Sequence, residues 1–63
     1  MENIQKRLLD AKEAAIFLSI SRSNLYQWVE SGKIKSIKLG GRRLFDIFDL
    51  NEFVDNLKAE QNN

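Results

Sequence analysis

Three features of this 63-residue sequence predict a mainly α fold with one small β-hairpin, in the order α-α-β-β-α. Two short amphipathic stretches, 11–18 and 22–30, are joined with only Ser19, Ile20 and a capping Ser21 between them. A Gly40-Gly41 pair lies between two extended runs. A third stretch with apolar residues at helical spacing runs from about 47 to 60. The length allows a single domain, expected to span 8–60, in which only about 60% of the unfolded surface is buried on folding.

Residues 1–7 show no periodicity and are expected to be a flexible N-terminal arm, and 61–63 a frayed tail. Leu8-Leu9 begins the packed region. Asp10 suits the N-cap of the first helix, and Glu13, three residues on, completes a capping box. Ala14, Phe17 and Leu18 are expected to face inward, with Lys12, Glu13 and Ile16 outside. Ser21 caps the second helix, whose Leu25, Trp28 and Val29 share one side. The opposite side carries Arg22, Ser23, Tyr26 and Gln27, side chains that hydrogen-bond or stack rather than pack. Arg22 occupies the first turn, where the helix dipole disfavours a cation, and this points to a negative partner.

Two helices joined so tightly must cross steeply. This is the helix-turn-helix arrangement, whose second helix enters the DNA major groove. The spacing fits it: Ala15 is the small residue at the crossing, Ser19 the turn residue and Ile20 the apolar plug. An ordinary helical hairpin would share the apolar spacing but would not need the small residue. Ser19 stands where a positive φ favours glycine, at a cost of about 1 kcal/mol.

Ser31-Gly32 ends the second helix, with Gly32 suited to a left-handed C′ position. From Ile34 to Leu39 apolar and polar residues alternate, with Ile37 and Leu39 on one face and Ser36 and Lys38 on the other. Arg42 to Phe45 resumes the extended pattern after Gly40-Gly41, which permits a primed two-residue turn. In this position the hairpin is a wing, with Lys38, Arg42 and Arg43 directed at phosphate or the minor groove. The competing reading is a charged ribbon that merely discourages edge pairing. Asp46 then caps a third helix with Asp49 in its first turn, and Phe48 or Leu50, Phe53, Val54 and Leu57 form its apolar stripe. Asp46 and Asp49 read as capping residues rather than as an acid/base or metal pair.

Composition narrows the chemistry. The chain has no histidine and no cysteine, so the usual general base and the commonest zinc ligands are missing. No catalytic residue, cofactor or metal site is expected. No apolar run approaches a signal or membrane-spanning length, so a cytoplasmic protein is expected. The net charge is only +1, yet it is segregated. Residues 1–20 balance, 21–43 carry +5, and 44–63 carry −4. A local basic field is what a phosphate backbone responds to.

Leu8-Leu9, Lys12-Glu13-Ala14-Ala15, Leu18 through Tyr26, Ser31-Gly32-Lys33, Gly40-Gly41-Arg42-Arg43, and Asp49-Leu50 with Phe53 together resemble the excisionase-type helix-turn-helix family. These are short winged-helix domains related to the DNA-binding part of MerR regulators. The resemblance covers residues 8 to 57. It implies that the second helix reads the major groove through Ser21, Arg22, Ser23, Asn24, Tyr26 and Gln27, and that the hairpin contacts backbone or minor groove through Lys38, Arg42 and Arg43. Ser19 and Leu44 depart from the family pattern, the latter standing where a polar or basic residue is common. No sensor domain or long dimerisation helix is expected after residue 60.

The implied function is sequence-specific binding of double-stranded DNA, as a recombination directionality factor of a mobile element with an integrase as protein partner, or as a small transcriptional regulator. The chain is expected to be a monomer in solution, with room for cooperative binding on DNA. A different class of function is a protein-interaction module that docks a basic partner through Glu52, Asp55 and Glu60 of the acidic third helix.

Overall fold

The computed structural model describes residues 6–61. Residues 1–5 of the expected arm and 62–63 of the expected tail lie outside the described residues. The elements are β1 (Leu8–Leu9), α1 (Ala11–Leu18), α2 (Arg22–Glu30), β2 (Ile37–Leu39), β3 (Arg42–Asp46) and α3 (Ile47–Gln61). The expected mainly helical α-α-β-β-α order is therefore present. To it the short β1 is added, making a three-stranded antiparallel sheet in the order β1-β3-β2.

Local chemistry sets each helix start. The Asp10 side chain accepts from the Glu13 N–H at 2.8 Å, and Glu13 Oε1 accepts from the Asp10 N–H at 3.0 Å, so the capping box is closed in both directions. Ser21 Oγ accepts from the Asn24 N–H at 3.2 Å. Asp46 Oδ1 accepts from the Phe48 N–H at 2.9 Å, capping α3 while its backbone still belongs to β3.

Helix ends are equally explicit. Ser19 takes φ 60° and ψ 43°, and bonds from Ser19 N–H to Ile16 C=O and from Ile20 N–H to Ala15 C=O turn the chain sharply into α2. After α2, Gly32 adopts φ 82°, and Lys33 N–H donates back to Trp28 C=O at 2.9 Å. This closes the left-handed stop expected there.

The core consists of Leu9, Ala14, Ala15, Leu25, Ile34, Phe45, Leu50 and Phe53. Ala14 and Ala15 are its thinnest part, and their size lets α1 and α2 approach. Ile20 packs against this cluster as the expected plug. Trp28 meets Phe53 with ring centroids 5.1 Å apart, joining α2 to α3.

Three expectations change. Phe17, expected inside, is 43% exposed, because the stripe that faces the core is Ala11, Ala14, Ala15 and Leu18. At 100° per residue Phe17 falls beyond the edge of that stripe. Of Phe48 and Leu50, Leu50 is the buried one and Phe48 is exposed. Strand β2 is shorter than the alternation from Ile34 predicted, because Ile34 N–H still bonds Trp28 C=O and its side chain fills the core.

Lys6 pairs with Glu13 at 2.6 Å, and Arg7 pairs with Asp46 at 3.0 Å. The Arg7 guanidinium lies 4.8 Å from the Phe48 ring centroid. Gln61 is the last residue of α3.

Candidate nucleic-acid interface

The first part of the site is the outer side of α2. Leu25 is fully buried, and Trp28 and Val29 pack against the core. Helical geometry therefore turns Arg22, Ser23, Tyr26 and Gln27 outward, with Ser21 and Asn24 beside them at the capped end, and all six are exposed. Apart from the acceptor role of Ser21, none of these side chains makes a hydrogen bond or ion pair among the described residues. Arg22 lies in a first turn that contains no acid. The result is a set of donors and acceptors presented by a rigid element, which is the arrangement a base-reading helix needs.

The second part is the ribbon of β2 and β3. Gly40 and Gly41 take φ 61° and φ 83°, positive at both turn positions as a type I′ turn requires. This turn fixes the register: Leu39 opposes Arg42, Lys38 opposes Arg43, and Ile37 opposes Leu44. Sequence alone gave the three cations without this pairing, although the two-residue turn already determined it. Like charges directly opposite one another across a ladder are destabilising unless an anion lies near them.

The pairing also separates the cations by face. Strand alternation puts Lys38, Arg43 and Ser36 on the face that continues to the buried Phe45, which is the face covered by the helices. Arg43 Nη1 donates to Ser36 Oγ at 2.8 Å, which holds the guanidinium along the ribbon. Arg42 lies on the opposite face with Leu39 and Leu44. Its guanidinium reaches to 4.0 Å from the Asp10 carboxylate, a loose pair whose side chains are 70% and 41% exposed. Ser36 and Asp10 are thus site neighbours that the sequence did not single out. Ser36 could have been found from its strand parity with Arg43, whereas Asp10 required the three-dimensional fold. Leu44, half-buried, opposes Ile37 on the ribbon.

Two ion pairs brace the framework behind the site. The Asp46 carboxyl is held below the usual carboxylate range, first by its hydrogen bond from Arg7 and then by the Phe48 N–H, and Arg7 is raised in turn. The Glu13 carboxyl is likewise lowered, first by the hydrogen bond from Lys6 and then by the Asp10 N–H. Among the described residues no helix is long and apolar enough to cross a membrane.

Comparison with known proteins adds one finding. A family model described as a helix-turn-helix domain matches residues 8–58, from β1 into α3. No curated protein and no solved structure matches the chain.

Proposed function

This chain belongs to the helix-turn-helix domain family, a DNA-binding family, and we infer from that membership and from the site that it is a sequence-specific reader of double-stranded DNA with an excisionase-like role. The observation that carries this reading is the exposed face of α2. Its side chains are polar and, apart from the capping Ser21, make no hydrogen bond or ion pair among the described residues, on a helix whose other side is locked into the core.

On this reading, Arg22 and Asn24 reach base edges, with Tyr26 beside them. Arginine with guanine and asparagine with adenine are the pairings that geometry favours. Lys38, Arg42 and Arg43 engage phosphate, which relieves the opposed Lys38 and Arg43 charges. The protein performs no chemical step of its own and acts in the cytoplasm as a monomer that binds cooperatively at adjacent sites. An integrase is its protein partner, met by the acidic face of α3 through Glu52 and Asp55.

Selection of bound duplexes from a random pool tests the reading. Direct repeats support an architectural factor acting beside a recombinase, whereas an inverted repeat points to the alternative, a small dimeric transcriptional regulator. Arg22→Ala is expected to cost about 1–3 kcal/mol in binding and to relax preference at one base. If Arg22→Ala binds with unchanged preference, that residue does not read bases. Failure of the wild-type protein to bind any duplex at low salt would leave the protein-interaction module as the better reading.

A further inference from the structure

Two apolar residues of the wing, Ile37 and Leu39, are exposed and lie outside the core, and Leu39 is the more exposed and the nearer to the tip. Leu39 is 58% exposed at the last strand position before the turn, outside the core and directly opposite Arg42. Exposed Phe48 is covered on one side by the Arg7 guanidinium, but Leu39 has no comparable neighbour among the described contacts. Resting on the DNA-binding reading above, we propose that Leu39 is an apolar wedge which the wing tip carries into the minor groove, where it opens a base step and bends the duplex.

Three observations support this occupant. The tip is slim: nothing lies within 4 Å of where a side chain would begin on Gly40 or Gly41. A ribbon with side chains on both faces occupies about 10 Å, and the minor groove is about 6 Å wide. Only a turn without side chains can therefore lead into the groove before the groove widens.

The cations lie on both faces of the ribbon, Lys38 and Arg43 on one and Arg42 on the other. A groove has two phosphate walls, so a ribbon lying against one strand would need cations on one face only. A ribbon that enters needs them on both. Arg42 is free to turn toward phosphate, because its pair with Asp10 is long and solvated. Leucine at the point of entry, flanked by cations, is the combination that minor-groove proteins use to unstack a step and kink the helix toward the major groove.

A second copy of the chain is the competing occupant, since Ile37, Leu39 and Leu44 share that face. The edge strand β2, however, carries Lys38, which discourages strand-to-strand pairing, and the patch is interrupted by Arg42.

The test uses a duplex of about 30 base pairs recovered from the random-pool selection and labelled at both ends for energy transfer. The wild-type protein is expected to shorten the end-to-end distance. Leu39→Ala, which leaves the core untouched and should retain the wild-type circular dichroism spectrum, is expected to bind about tenfold more weakly and to leave the duplex straight. Leu39→Met is expected to restore both affinity and bend. The proposal is overturned if wild type binds without bending, or if Leu39→Ala bends the duplex as wild type does. It is also overturned if Leu39→Ala keeps the bend and loses only the cooperativity between adjacent copies, which would assign the face to a second protomer. Each of these results leaves the DNA-binding reading standing, whereas failure of wild type to bind any selected duplex removes both.

Discussion

Ser19 holds a left-handed backbone conformation that costs a side-chain-bearing residue about 1 kcal/mol or more. The bonds around it, from Ser19 to Ile16 and from Ile20 to Ala15, oblige the conformation, because they are what turns α1 into α2. Ser19→Gly is therefore expected to stabilise the protein by about 1 kcal/mol. In a domain of this size that raises Tm by about 4–8 °C, measured by thermal circular dichroism. The same variant should bind DNA unchanged, since Ser19 contributes no side chain to the outer face of α2. A Tm at or below wild type would mean that the serine hydroxyl contributes more than the backbone strain removes. The need for a positive φ was legible in the sequence from the spacing of Ala15, Ser19 and Ile20. The side-chain direction of Phe17 was not, because a helix of eight residues accommodates two overlapping apolar stripes. The choice between them was made by how closely α2 approaches Ala14 and Ala15.

At the scale of elements, every boundary that depends on local chemistry was readable: three capped helix starts, a glycine stop and a two-glycine turn. What was not readable depends on contacts distant in the sequence. Arg7 and Asp46 are 39 residues apart, and nothing local announces that Leu8-Leu9 will pair with Phe45 and Asp46. This pairing seats the Arg7 carbonyl on the Ile47 N–H at 2.9 Å and its guanidinium on Asp46, so β1, β3 and the start of α3 are fastened at one junction. The Asp46 carboxyl is depressed in the folded state, chiefly by Arg7. Its contribution to stability is therefore fully present above the usual carboxylate range, about pH 4, and is lost as pH falls through and below that range. Glu13 behaves in the same sense through Lys6. Asp46→Asn keeps an acceptor for the Phe48 N–H but loses the charge. Its Tm should lie below wild type at pH 7 and converge on it toward pH 2, as followed by thermal denaturation across that range. Parallel curves at all pH values would show that Asp46 acts only as a cap.

At the scale of the whole molecule, charge and shape are arranged together. The cations of residues 21–43 lie on the outer side of α2, on the turn after it and on the ribbon, while the acids of 44–63 lie on α3, except Asp46 at the end of β3. This separation was visible in the sequence as two blocks of opposite sign, and strand alternation already put Arg42 and Arg43 on opposite ribbon faces, whereas which of those faces the helices cover appeared only with the fold. It leads to a quantitative expectation for salt dependence. If Lys38, Arg42 and Arg43 each displace a counterion from the duplex, log affinity should fall with log salt at a slope of about −3, because each phosphate neutralised contributes about −0.9. Arg43→Ala should reduce that slope by about one and weaken all sequences alike, since it contacts phosphate rather than bases. Neutralising Glu52 and Asp55 to Gln and Asn removes repulsion at a distance without adding a contact. It should therefore raise affinity at low salt, where screening extends over about 30 Å at 0.01 M, and hardly at 0.15 M, where it extends over about 8 Å. Binding isotherms at four or five salt concentrations separate the two classes of variant. A slope that Arg43→Ala leaves intact would place the ribbon away from the phosphates, and with it the wing's share in binding.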